Sequence, residues 1–240
     1  KIEIITSIAK RLLIKGGIMK SRERVLKALD FEEPDAVPIT ELEINVDVME
    51  KILNTKIDVI YSLQSALIPN RRLEKIFYEY VYKTYRKVGF DILYAYQSLP
   101  DGYKLKKLPD GRYVDEIGRV FSYDPYAKEY TPTGTIFNTP EDVKNFLQED
   151  FPDPNAPGRE FGLKCLQELN KEEKAIGIFV REPFAHVWEA LTPVKFVYWM
   201  YNNRSIIREF IEKITEFNLE LIKIYCEIGV DLIIMGGDLC

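Results

Sequence analysis

Two carboxylates, one imidazole and one guanidinium group carry the chemistry that can be read from this chain. Arg181-Glu182-Pro183-Phe184-Ala185-His186-Val187-Trp188-Glu189 is its densest run of reactive polar side chains, and Gly236-Gly237-Asp238 places another carboxylate on a turn. Glu182 and Asp238 could work as an acid/base pair or as hydrogen-bond acceptors for a polar substrate. Arg181 could hold a carboxylate or phosphate, and Glu189 is a further candidate substrate contact. The same residues also fit an ion pair that merely closes the rim of a sheet. His186 is the only histidine, so a Ser/His/Asp triad or a histidine-bound zinc would have to use it. Set between Ala185 and Val187, a lone histidine is more often a hydrogen-bonded packing residue than a ligand. No Cys-x-x-Cys, His-x-Cys or His-Glu-x-x-His spacing occurs, so local motifs give no metal ligands. Nucleotide binding has no support either, because neither Gly-x-Gly-x-x-Gly nor a Walker lysine motif is present.

The elements that must position these residues follow from periodicity. Ala175 to Val180 is an apolar run emptying into Arg181, and Val230 to Met235 is another emptying into Gly236-Gly237-Asp238. Such runs, each preceded by an amphipathic helix, predict parallel strands covered on both faces. Carboxylates just past their C-terminal ends stand where α/β folds place their chemistry. Asp91 to Tyr96 reads as a further strand, with Asp91 at its start. Val37 to Ile44 reads as the first, where Glu41 and Glu43 alternate with apolar neighbours and so share one face. Inside a barrel that face needs a partner or a function; at a solvent edge it needs neither.

Helices are predicted from Ser21, over Val46 to Leu53, over Leu67 to Val88, from Thr139-Pro140, over Arg159 to Asn170, over Val194 to Tyr201 and over Ser205 to Glu227. In the third of these, Leu73, Ile76, Phe77, Tyr80, Val81 and Tyr85 form a stripe at helical spacing. Residues 99 to 138 change character. Turn signals at Pro109-Asp110-Gly111, Glu116-Ile117-Gly118 and Pro132-Thr133-Gly134 predict an inserted antiparallel meander. The alternation of strand and helix elsewhere predicts a right-handed parallel α/β arrangement.

The chain has 240 residues, 46% hydrophobic, with a net charge of −5 and no basic block, so nucleic acid is not an expected partner. Cys165, Cys226 and Cys240 are odd in number and far apart, which fits reduced thiols in a cytoplasm. No apolar run approaches the roughly 18 residues a membrane span needs. Residues 1–18 stand apart: four cations against Glu3 give +3 and leave −8 for the rest. Lys15-Gly16-Gly17-Ile18-Met19 is what a purine-rich ribosome-binding site before a start codon would spell in frame. Residues 1–18 are therefore expected to be a non-native or disordered extension, and 19–240 to be one domain.

Several segments resemble the uroporphyrinogen decarboxylase superfamily. Ser21-Arg22-Glu23-Arg24-Val25 through Pro34-Asp35-Ala36-Val37-Pro38 is similar to its opening, and Tyr113-Val114-Asp115-Glu116-Ile117-Gly118-Arg119 to its methyltransferase-like branch. Glu182-Pro183-Phe184 with Glu189-Ala190-Leu191, and Gly229-Val230-Asp231 through Gly237-Asp238-Leu239, are similar to its segments around two strand ends. The resemblance implies a TIM (β/α)8-type barrel of which this chain is the N-terminal half, about four strands. It implies methyl transfer between a corrinoid protein carrying cobalamin and a small-molecule thiol or methyl donor. Asp238, Glu182 and His186 become expected catalytic groups, and Asp91, Glu41, Arg181 and Glu189 expected substrate contacts. Zinc would be the cofactor, with its ligands downstream of this chain. An open half barrel is expected to self-associate or to pair with the other half. The alternative activity is the decarboxylase, which needs no cofactor; Asp91-Ile92-Leu93 resembles its pyrrole-binding segment. Against it, Thr40 to Ile52 lacks the arginines of that enzyme's N-terminal signature, and its tyrosine position falls on Trp188 or Glu189. A further alternative is an inactive fragment that binds a partner or ligand.

Overall fold

The computed structural model of the chain describes residues 19–57, 70–126, 129–171 and 173–237. The expected extension over 1–18 and the carboxylate Asp238 lie outside the described residues. Three parallel strands form the central sheet: β1 (Ile92–Tyr96) at one edge, β6 (Ala175–Arg181) in the middle and β7 (Leu232–Gly236) at the other edge. The register pairs Tyr96 with Phe179 and Arg181 with Gly236, so the three C-terminal ends form one rim. All five residues of β1 are buried, as a strand covered on both faces requires.

Helices cover this sheet. α1 (Ser21–Leu29) lies across its N-terminal end, where Arg24 pairs with Asp91 at 2.7 Å and Arg22 with Asp231 at 2.8 Å. Asp231 also accepts from the Ile176 backbone N–H at 2.9 Å, which ties the start of β7 to β6. α2 (Val46–Leu53) packs on α3 (Arg71–Val88). Asn70 begins α3 by accepting from the Arg72 and Leu73 backbone N–H groups, and Gly89 ends it at φ 91°, a left-handed conformation that glycine adopts freely. The core face of α3 is turned slightly from the predicted stripe. Glu74 is 3% exposed, held by the Ser98 hydroxyl and by Arg71 at 2.8 Å, whereas Leu73 is 40% exposed.

The inserted meander is a four-stranded antiparallel sheet in sequence order: β2 (Lys106–Lys107), β3 (Tyr113–Val114), β4 (Arg119–Asp124) and β5 (Glu129–Thr135). Two of the three predicted turns are present, with Gly111 and Gly118 at positive φ. The third is corrected. Pro132-Thr133-Gly134 lies inside β5, where Val120 pairs with Gly134 and Phe121 with Pro132, leaving Thr133 as a bulge. β5 is an edge strand, so the N–H that Pro132 lacks is not missed. After the meander, α4 (Pro140–Asn145) opens with a Thr139/Asp142 capping box and runs into one π-helical turn over Phe146–Asp150. α5 (Phe161–Asn170) leads to β6; α6 (Pro183–Leu191), α7 (Pro193–Asn202) and α8 (Arg204–Ile228) lead to β7.

The predicted first strand is also corrected. Residues 37–44 form no strand, and the chain bends at Leu42. Ile39 is anchored at the start of β1, accepting from the Asp91 N–H at 2.7 Å and donating to the Asp91 carboxylate at 2.9 Å. The Leu42 carbonyl takes the hydroxyls of Tyr96 at 2.7 Å and Tyr85 at 3.2 Å. Side chains thus fill the positions a strand ladder would use, and Pro38 has no N–H to give. Without a strand pleat, Glu41 is exposed while Glu43 is only partly so.

Candidate functional site

A cavity of about 180 Å³ opens at the rim formed by the strand ends. β1 delivers Tyr96 and Gln97, β6 delivers Phe179, Val180 and Arg181, and the 42–43 segment supplies Glu43. α6 starts immediately after β6, with Glu182 as its N-cap and Pro183 at its first position, where a missing N–H costs nothing. One turn of α6 carries His186 and the next Glu189, three residues apart and so on one face. The meander closes the cavity from the other side with Asp115, Glu116 and Arg119.

Buried ion pairs fix the geometry. Arg119 donates from Nε to Asp115 at 2.6 Å and from Nη1 to Glu189 Oε2. Arg181 grips the other oxygen of Glu189, with Nη2 at 2.5 Å and Nε at 3.1 Å. Glu116 is held by both terminal nitrogens of Arg159 at 3.0 Å each, and Gln97 donates to it at 2.6 Å. Burial pushes the Glu116 carboxyl above its ordinary range, against the pull of Arg159. Two buried side-chain polar atoms have no hydrogen-bond partner among the described residues: Glu182 Oε1 and His186 Nδ1. Glu182 lies so close to Gly237 that a Cβ added there would collide with its carboxyl group. Burial, then Arg119 and Arg181, hold the His186 imidazole well below its ordinary value of 6.5, so it is neutral at pH 7.

That depression has a consequence for stability. The unfolded chain takes up a proton on His186 below about pH 6.5 while the folded chain does not, so stability is full above that pH and falls as pH drops. The loss is expected to reach up to ~1.4 kcal/mol per pH unit. Urea denaturation between pH 7 and pH 5 measures it, and a His186→Gln variant should lack this component of the slope.

Of the expected site residues, Glu182, His186, Arg181 and Glu189 lie together at the rim, and Glu189 is clamped between two arginines. Asp91 does not join them. It stands at the opposite end of β1, 3% exposed and bound to Arg24, so its place is structural. Glu41 is exposed and accepts from the Leu42 N–H at 3.1 Å; Glu43 lines the cavity instead. Arg119, Asp115, Glu116 and Gln97 were not expected individually; the signal was the Tyr113–Arg119 motif, whose hairpin turn brings Asp115 against Arg119. Among the described residues, no group of three or more His, Cys, Asp and Glu side chains could hold a metal ion. Cys165 is buried, its thiol pushed up to about 11 mainly by that burial, and Cys226 is exposed. No described helix is long and apolar enough to cross a membrane.

A methyltransferase from Methanosarcina mazei is similar in structure, with a TM-score of 0.58 at 16% sequence identity. The likeness is one of fold. It covers 90% of this chain and 58% of that one, so the chain spans little over half the length of its structural neighbour. No protein-family model and no curated protein sequence matches the chain.

Proposed function

We propose that the chain is part of a (β/α)8-type barrel of the uroporphyrinogen decarboxylase superfamily, in its methyltransferase-like branch, and that its rim cavity takes part in methyl transfer to a thiol. A corrinoid protein carrying methylcobalamin is the proposed methyl source. The observation that carries this reading is the cavity's charge. Asp115, Glu116 and Glu189 are each matched by an arginine, through Arg119, Arg159 and Arg181, and Glu43 also lines the cavity. A tetrapyrrole bearing many carboxylates needs a surplus of cations, and the described residues lining this cavity offer none. A small thiol needs only an apolar wall and one acceptor. Phe179, Phe217 and Tyr96 supply the wall, and neutral His186 supplies the acceptor.

In this reading the thiol S–H is oriented by the His186 imidazole, which lines the cavity. The sulfur lone pair forms a bond to the methyl carbon, the bond from methyl to its donor breaks with the electron pair left on the donor, and the S–H proton passes to His186. A base held well below its ordinary range suffices, because a methylated sulfur still bearing its proton is strongly acidic. The described residues supply no ligand set for the zinc that the resemblance implies, so no step is assigned to it. The barrel reading also calls for further βα units beside β7, whose Leu232, Ile233 and Ile234 are only partly buried.

The test sets two reactions side by side, methylcobalamin with a thiol and uroporphyrinogen alone. Thiol-dependent demethylation of methylcobalamin is expected. Formation of coproporphyrinogen would establish the decarboxylase instead, and turnover of neither would leave a binding protein.

A further inference from the structure

The meander is an insertion between two strands of the parallel sheet, yet it supplies one of the two cations that hold the rim. Arg119 is 5% exposed and spans the two units: Asp115 holds it on the meander side, and Glu189 on α6 receives its other arm. The meander end of this link is locked. The Asp115 carboxylate also accepts from the backbone N–H groups of Ile117 at 3.1 Å and Arg119 at 2.8 Å, and the Asp115 N–H donates to the Arg119 carbonyl at 3.0 Å. The Arg119 guanidinium lies over the Phe121 ring, 5.3 Å from its centroid. At the α6 end, Arg119 and Arg181 take one carboxylate oxygen of Glu189 each, so neither can be replaced by the other.

We propose that Arg119 is a positioning residue: delivered by the inserted meander, it fixes Glu189 and with it the face of α6 that presents His186 to the cavity. The proposal rests on taking this cavity as the reacting site, but its readout needs no substrate, so it fails or stands apart from methyl transfer.

The charged groups around His186 are Arg119 from β4, Arg181 from β6 and, on or beside its own helix, Glu182 and Glu189; Glu43, Asp115 and Glu116 line the same cavity. From α8, Asn218 donates to the Arg181 carbonyl at 2.9 Å and Tyr225 lines the cavity. On α7, Lys195 is engaged by the Phe137 carbonyl. Arg119 and Arg181 both disfavour the imidazolium. Removing Arg119 takes away one of the two and leaves Glu189 less neutralised.

His186 is the only histidine, so its ring resonances in an NMR pH titration report one site. Arg119→Gln is expected to raise its proton affinity by roughly tenfold or more. Glu189→Gln removes the carboxylate between the two arginines and is expected to give no rise. Arg119→Lys keeps the charge and is expected to stay near the wild-type midpoint. A folded Arg119→Gln protein with an unchanged midpoint would overturn the proposal. So would a rise in Glu189→Gln, which carries the test by itself if Arg119→Gln does not fold.

Discussion

Asp91→Ala is expected to lower the unfolding free energy by about 3–5 kcal/mol, the cost of breaking a buried pair from one side. Asp91 is 3% exposed and binds at both oxygens, to Arg24 at 2.7 Å and to the Ile39 N–H at 2.9 Å. Its loss leaves a partly buried guanidinium group one acceptor short and the Ile39 backbone donor without its acceptor. Asp35, also bound to Arg24 at 2.7 Å, still offsets part of the charge, which places the expected cost toward the lower end of that range. The same change removes the side-chain half of the Ile39 anchor, while the bond from the residue 91 N–H to the Ile39 carbonyl remains. Urea denaturation measures the effect. A loss under about 1 kcal/mol, within the reach of an ordinary surface substitution, would contradict a structural role. The rim lies at the other end of the strand, so the NMR titration of His186 should be unaltered.

His186→Gln is expected to lower methyl transfer by roughly 10²- to 10⁴-fold, the usual worth of a positioned proton acceptor. Glutamine keeps a similar length and can still accept a hydrogen bond, so it retains thiol orientation but not basicity. The effect should therefore fall on kcat more than on KM. Folding should survive, since Nδ1 has no partner among the described residues to lose and the rest of α6 is held by Ala185, Val187, Ala190 and Leu191, all buried. Equal changes in kcat and in thermal stability would instead mark His186 as packing.

What the sequence makes legible here is what short range decides. The turn at Pro109-Asp110-Gly111, the Thr139 cap, the apolar run of β6 and the glycine stop at Gly89 each depend on neighbours a few residues away, and each stands in the structure. Residues 37–44 imitate a strand because Glu41 and Glu43 alternate with apolar neighbours. What decides their conformation is the Tyr85 and Tyr96 hydroxyls, more than 40 residues distant, which no local pattern reveals. Glu74 is buried for the same kind of reason, because Ser98 and Arg71 converge on it. At the rim, the run from Arg181 to Glu189 stands out as a dense polar segment, but its ion pairing depends on Arg119, 70 residues earlier than Glu189. Such a link is written into tertiary packing, and the meander motif hints only at half of it.

The most direct test of the rim cavity as a methyl-transfer site follows one labelled carbon. Methylcobalamin bearing a 13C methyl group is incubated with the purified protein and a small thiol, and the product is read by NMR. The account predicts a 13C-methyl thioether signal that depends on protein and falls at least about a hundredfold in His186→Gln. A label that stays on cobalt, or a thioether formed equally well by the His186→Gln protein, would contradict it.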